Sequence, residues 1–364
     1  MVKKRISRKE FLRLTGTGLA SFAALPMIGC STDTSSLAQD DSGPERDTQD
    51  QQEETDPRNE PGTGDGTSAG SDSDTDRETG PLEKYFYVAI LADTHIIDQF
   101  YIDQGRHETP GKDDVSIRLT SQRLIKTRDH LNALDPPIEM VHVAGDVVHD
   151  YPSTDWEFFF ANETRFDICK QILDGFKAPV YIDLGNHDYD IGNIPRDFTH
   201  ALFQEKFGVR PYYSIDHKGW KFIHLNNFLG DTQNPESWSF NKLFGSFGEE
   251  QLNWLDGELA SGLPSLVFWH FPLYACWSNE ILDLSIRSVL KKHSQNVMLT
   301  ITGHSHIWMN TGGLLGAPQF VCASTRYDPD AYMILRLSTE DMSYKIMNRN
   351  CFHWLSHDTD PYHG

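Results

Sequence analysis

Five short apolar runs in this chain each stop at a tight polar turn, and that pairing constrains the fold more than any bulk property. The clearest is Val180-Tyr181-Ile182-Asp183-Leu184, a strand-forming run that meets Gly185-Asn186-His187-Asp188. Glycine breaks the apolar pattern, and an amide, an imidazole and a carboxylate follow in a row. The run from Tyr85 to Ala92 stops at Asp93-Thr94-His95, and Met140 to Ala144 stops at Gly145-Asp146-Val147-Val148-His149-Asp150. The Leu266 run leads into Trp269-His270-Phe271-Pro272, and Val297 to Thr302 ends in Gly303-His304-Ser305-His306. Strand ends are where an α/β sheet presents its chemistry. One such turn is ordinary; five of them, all carrying Asp, Asn or His, point to a metal centre.

Helical patterns lie between these strands, which predicts an α/β architecture. Ser116 to Leu134 has Ile117, Leu124 and Leu131 at heptad spacing. Thr154-Asp155-Trp156-Glu157 reads as a capping box opening a helix that ends near Gly175. Gly248 to Leu259 places Leu252, Leu255 and Leu259 on one face, and a further helix is expected from about Asn279 to Lys292. Tyr212 to Asp216 and Trp220 to Asn226 read as a strand pair joined at Lys218-Gly219. Gln319 to Ala323, Ala331 to Ser338 and Ser343 to Asn348 complete the strands. Helices gather early and strands late, so two sheets are expected.

The donors in the five turns are oxygen and nitrogen, with no cysteine among them. Such a set suits Mn, Fe, Zn, Ni or Co and disfavours a structural zinc site built on thiolates. Seven candidate ligands exceed what one ion takes, but fit two ions that share a carboxylate. The succession D-x-H, G-D, G-N-H-D, a strand-end His and G-H-x-H resembles that of the calcineurin-like metallophosphoesterases. It spans roughly Tyr85 to Asn348, and Phe247 to Leu255 is similar to the helix those enzymes place before their fourth motif. The resemblance implies a four-layer αββα sandwich of two mixed β-sheets flanked by helices. It implies one metal held by Asp93, His95 and His306, a second held by Asn186, His270 and His304, and Asp146 bridging both.

The resemblance also implies hydrolysis of a phosphate ester, with a metal-bridging hydroxide attacking phosphorus in line with the leaving oxygen. His187 is then expected to point at the substrate, where it would stabilise the transition state or protonate the departing alkoxide. Members of the family often carry an acidic residue three positions after the bridging Asp; His149 stands there in this chain, with Asp150 next. The group that orients His187 is therefore open between Asp150 and Asp188, with His149 as an alternative pocket residue. The Gly-Asn-His-Asp form looks most like the cyclic-nucleotide phosphodiesterase branch. The expected activity is that of a phosphodiesterase, with a phosphomonoesterase on the same site as the alternative and a metal-binding surface lipoprotein without turnover as a third reading. Expected substrates are nucleotides, phospholipid head groups or similar small phosphate esters.

The remaining segments bear on where such a domain would work. Lys3, Lys4, Arg5, Arg8 and Lys9 precede an apolar stretch from Leu19 to Ile28, too short to span a bilayer. Ser7-Arg8-Lys9-Glu10-Phe11-Leu12 resembles a twin-arginine export signal, and Met27-Ile28-Gly29-Cys30 resembles a bacterial lipobox. Together they imply a signal peptide over residues 1–30, lipidation of Cys30, and anchoring to the bacterial cell envelope. Residues 31–80 hold fifteen Asp and Glu against three Arg, a net −12, and almost no large apolar residues. Such a stretch cannot bury enough surface to offset ordering entropy, so it is expected to be an extended, solvated tether before a domain at 81–364. Of the chain's −21 the globular part carries −14, which argues against a nucleic-acid partner. Cys169, Cys276, Cys322 and Cys351 show no pairing signal and are expected to be mostly free buried thiols.

Overall fold

The computed structural model describes residues 84–106, 108, 111–276, 284–311 and 318–348. The expected export leader with Cys30, the expected acidic tether, Cys351 with the rest of residues 349–364, and the start of the helix expected from Asn279 lie outside the described residues. Strand β1 (Tyr85–Leu91) is followed by helices α1 (Gln99–Asp103), α2 (Lys112–Ile117) and α3 (Thr120–Asn132), then β2 (Met140–Val143). Helices α4 (Phe158–Ala161) and α5 (Arg165–Asp174) lead to β3 (Val180–Ile182), the short helix α6 (Asn186–Tyr189) and α7 (Arg196–Phe207). The hairpin β4 (Tyr213–His217) and β5 (Trp220–His224) precedes α8 (Glu249–Leu259) and β6 (Ser265–Phe268). Then come α9 (Ile286–Lys292), β7 (Val297–Thr302), β8 (Met309–Asn310), β9 (Gln319–Val321), β10 (Met333–Ser338) and β11 (Tyr344–Ile346).

Two departures from the sequence reading have local causes. The Thr154 capping box does not form. Asn162 is extended, and the helix before β3 opens instead at Thr164, whose backbone N–H and hydroxyl both reach the Asp167 carboxylate at 2.9 Å. The helix expected over Ser116 to Leu134 breaks at Arg118–Leu119 into α2 and α3. The Asn186 turn itself winds into one helical turn, α6, which the strand-and-turn pattern did not distinguish from a plain loop.

The strands form two mixed sheets, in the orders β11-β10-β1-β2-β3 and β4-β5-β6-β7-β9-β8. Strands β1, β2 and β3 run parallel, and so do β5, β6, β7 and β9. The other pairings are antiparallel: β10 returns from the far end of the chain to pair with β1 in the register Val88↔Leu335. The alternating side chains of each strand explain the layers. From β1, Phe86, Val88 and Ile90 pack on Phe222, Leu266, Phe268 and Ile301 of the other sheet. Ala89 and Leu91 face the opposite way, into a core shared with Leu124 of α3 and Phe166 of α5. On the other sheet Val267 joins Leu252, Leu255 and Leu290 from α8 and α9. The result is an α/β sandwich of two mixed sheets flanked by helices. Each buried Phe or Leu contributes on the order of 1.5–3 kcal/mol to holding the layers together. The parallel strands of both sheets end on one side, which brings their terminal turns together.

Candidate metal centre

Backbone conformation marks the site before any side chain is considered. Among the described residues nine non-glycine positions have positive φ, and five are expected ligands: Asp93 (54°), His95 (47°), Asp146 (52°), His304 (71°) and His306 (58°). Asp150 (56°) makes a sixth in the same place. Left-handed conformations are costly for such residues and persist where surrounding structure enforces them. Two glycines show how tightly the strand ends meet. A Cβ on Gly185 would lie 2.2 Å from Asp146 Oδ1, and one on Gly145 would lie 2.4 Å from His270 Nδ1.

The turns converge into two adjoining sets of donors. In the first, ligand atoms of Asp93, His95, Asp146 and His306 all lie within 4.8 Å of one another. His95 Nε2 is 3.1 Å from His306 Nε2 and 3.6 Å from Asp146 Oδ2, and His306 Nε2 is 3.3 Å from Asp93 Oδ1. In the second, Asn186 Oδ1 faces His270 Nε2 at 3.1 Å and His304 Nδ1 at 3.0 Å. The same Asp146 Oδ2 that faces His95 lies 3.2 Å from His270 Nε2, so one carboxylate oxygen touches both sets. Its partner Oδ1 accepts the His187 backbone N–H at 2.8 Å. His270 Nδ1–H donates to the Ala144 carbonyl at 2.9 Å, which turns the Nε2 lone pair toward Asp146.

Burial sharpens the electrostatics. Asp93, His95, Asp146 and His270 are buried, while Asn186, His187, His304 and His306 are part-exposed and line the open side. Burial disfavours a charged His270, but the Asp146 carboxylate and its hydrogen bond outweigh this and raise the ring to about 9 in the metal-free protein. Burial likewise opposes charge on His187, yet Asp146 and the Asp150 hydrogen bond lift it to about 9. Burial pushes His304 down to about 3 and His95 well below the ordinary imidazole value, leaving neutral rings with lone pairs free. The field of the site therefore favours positive charge beside Asp146, and its neutral imidazoles are in the ligating form.

The open alternatives around His187 are settled by distance. His187 Nδ1–H donates to Asp150 Oδ1 at 2.8 Å, and Arg106 pairs with the other Asp150 oxygen at 3.3 Å. Asp188 is turned to the backbone instead. Its carboxylate accepts the backbone N–H groups of Val147, Val148 and Gly185 at 3.2, 2.9 and 2.8 Å, tying the end of β2 to the end of β3. His149 is buried behind His187, its ring stacked at 4.3 Å and 19°, rather than lining an open pocket. Three residues near the site were not anticipated: Arg106, Glu108 and Arg326. Arg326 follows strand β9 in the polar turn Ser324-Thr325-Arg326, the same signal that marks the other turns. Arg106 and Glu108 fall between α1 and α2, where no strand end points to them. Cys169 and Cys322 are free buried thiols, and Cys276 is buried.

Over part of its length the chain is similar to known proteins. The calcineurin-like phosphoesterase family pattern matches residues 86–308. The chain is 26% identical over 210 residues to the serine/threonine-protein phosphatase CPPED1 of Bos taurus, covering 54% of this chain and 60% of that protein. Against the same protein from Rattus norvegicus it is 28% identical over 212 residues, covering 54% and 61%. The chain thus spans about three-fifths of the length of the curated relatives it matches. Among solved structures, a dimetal phosphatase from Danio rerio aligns over 72% of this chain and 95% of that chain, at 19% identity and a TM-score of 0.49. A purple acid phosphatase from yellow lupin (Lupinus luteus) seeds aligns over 72% and 53%, at 15% identity and a TM-score of 0.42.

Proposed function

The chain belongs to the calcineurin-like phosphoesterase family, and we propose that it is a metal-dependent hydrolase of phosphate esters acting at the Asp146-centred cluster. The observation that carries this reading is the single Asp146 oxygen set 3.6 Å from His95 Nε2 and 3.2 Å from His270 Nε2, between two donor sets. The residues fit a pair of hard or borderline cations: all donors are oxygen or nitrogen, and the site favours positive charge beside Asp146. Asp93, His95 and His306 would hold one ion, Asn186, His270 and His304 the other, and Asp146 both. When bound, such ions neutralise the charge of a phosphate ester and lower the pKa of a water for attack on phosphorus.

The protein's own groups do the rest. His187 commits Nδ1–H to Asp150, which leaves Nε2 to meet the ester oxygen and hand a proton to the departing alkoxide. The His187 N–H to Asp146 Oδ1 bond ties that ring to the bridging carboxylate, so the acid and the ligands move as one piece. Arg106 pairs with the other Asp150 oxygen and helps hold that carboxylate against His187. The curated relatives named as serine/threonine-protein phosphatases support a preference for monoesters. The diester reading rests on the Gly185-Asn186-His187-Asp188 form and its likeness to the cyclic-nucleotide branch.

Hydrolysis of p-nitrophenyl phosphate against bis-p-nitrophenyl phosphate, with Mn, Zn and Fe added in turn, tests this function. Metal-dependent release of p-nitrophenol is expected, faster from the monoester, and lost in Asp146→Asn. No turnover of either ester with any metal would leave a metal-binding protein instead. Export, lipidation at Cys30 and the division at residues 30 and 80 are further proposals of the sequence. Among the described residues no helix is long and apolar enough to cross a membrane. Fatty-acid labelling of the expressed protein tests the anchor, and a Cys30→Ser protein that still takes label would overturn it.

A further inference from the structure

Behind the first donor set a line of polar side chains runs away from the site and into the loop before α2. His95 turns Nε2 toward Asp93, Asp146 and His306, while its Nδ1 lies 3.0 Å from Nδ1 of His149. The other nitrogen of His149, Nε2, lies 3.0 Å from Glu108 Oε1. Glu108 is held in turn by the Tyr101 hydroxyl at 3.0 Å and by Arg326 Nη2 at 3.2 Å. His95 and His149 are buried, and the Glu108 side chain is 16% exposed.

The protons on this line can be placed by elimination. An imidazole that offers Nε2 to a cation keeps its proton on Nδ1. His95 Nδ1–H must therefore donate, and His149 Nδ1 must accept. That puts the His149 proton on Nε2, where a carboxylate stands ready to accept it. Every bond then points the same way, from His95 toward Glu108. A carboxylate behind a ligating histidine fixes its tautomer and ring orientation and makes it a stronger donor. Here the carboxylate acts through one more imidazole. We propose that Glu108 and His149 are positioning residues that set the affinity for the ion His95 would hold. This rests on the reading of His95 as a ligand.

Two further contacts show why His149 transmits rather than pads. Its carbonyl accepts from the buried Arg165 guanidinium, and its ring is clamped between His187 and Tyr101 (centroids 4.3 and 5.4 Å). The ring cannot swing to find another acceptor if Glu108 is neutralised.

The test is titration of the full-length metal-free protein with Mn2+ alone against a fluorescent chelator, with thermal melting of each metal-free variant as the folding control. In the wild-type chain two ions are expected. In Glu108→Gln one of the two sites should weaken by about 10- to 100-fold while the other is unchanged. His149→Phe, which keeps the ring packing and removes both bonds, should weaken the same site further. His149→Gln, whose amide oxygen can accept from His95, should recover part of that loss. The double variant Glu108→Gln/His149→Phe should bind no more weakly than His149→Phe alone, because the line passes through His149. Wild-type affinity at both sites in Glu108→Gln and His149→Phe would overturn the proposal, as would equal weakening of both sites. Fewer than two ions on the wild-type chain would instead overturn the two-ion reading beneath it.

Discussion

Replacing Gly185 with alanine puts one methyl group where the ends of β2 and β3 meet. The backbone there is ordinary, with φ −107° and ψ −175°, so the substitution introduces no torsional strain. The difficulty is contact: the new Cβ would stand 2.2 Å from Asp146 Oδ1, 2.4 Å from Asp146 N and 2.7 Å from Asp146 Cγ, against an ordinary limit near 3.4 Å. One of these atoms is backbone, so no rotamer change relieves the clash. Asp146 must retreat by roughly 1 Å, and a misplacement of that size costs about 10²-fold in rate. The shift cannot stay local. The Asp146 carbonyl accepts the His95 N–H at 2.9 Å and the Gly145 carbonyl accepts the Asp93 N–H at 3.0 Å, so both ligands of the first set follow. Expected outcomes are a fall of about two orders of magnitude in kcat/KM for p-nitrophenyl phosphate and weakened binding at both metal sites. Gly257→Ala is the control. It lies inside α8 with nothing within 4 Å of its added Cβ, and should stabilise the protein by about 0.5–1 kcal/mol without touching activity. A Gly185→Ala enzyme within threefold of wild type, with normal Mn2+ binding, would show that the strand ends are not held as tightly as the structure has them.

Asp150→Asn keeps the shape beside His187 but removes the charge that holds its proton; kcat should fall about 10²- to 10⁴-fold with Mn2+ affinity unchanged, and unaltered kcat would remove His187–Asp150 from the chemistry. Asp98→Ala strands the buried Arg165 guanidinium, which donates to both Asp98 oxygens at 3.1 and 2.8 Å, and should cost about 3–5 kcal/mol, read as a melting temperature lower by about 10 °C. Burial holds His200 down at about 4, with Arg196 adding to the effect, against 6.5 for an ordinary imidazole. The unfolded chain therefore takes up the proton first as pH falls. The contribution is complete above pH 6.5 and drains away toward pH 4, by at most about 3 kcal/mol and by about half that once partial exposure is discounted. His200→Gln should flatten the denaturation midpoint between those limits, and an unchanged slope would refute the assignment.

How much of this was legible without coordinates depended on whether the information was local. The strands were, because each is a short apolar run buried on both faces: Phe86, Val88 and Ile90 face one core, Ala89 and Leu91 the other. The placing of the candidate donors was too, because each sits within a few residues of the strand that carries it. The start of the helix before β3 was misjudged for the opposite reason. Thr154 and Thr164 both precede an acidic residue at capping distance, and only the extended chain at Asn162 selects the second.

Sequence alone therefore determined the two-sheet class and the candidate donors, since an apolar run and the polar turn at its end are properties of short segments. Tertiary structure decided which groups touch. Asp188 adjoins His187 in sequence and Asp150 lies 37 positions away, yet packing gives Asp150 the His187 ring and Asp188 three backbone N–H groups between β2 and β3. Glu108 and Arg326 meet across more than 200 positions of chain, and β10 reaches β1 across a similar gap. Those contacts form only when strands distant in the chain lie in register, because a hydrogen bond is set by distance and direction in space and by nothing in the residues that separate its partners.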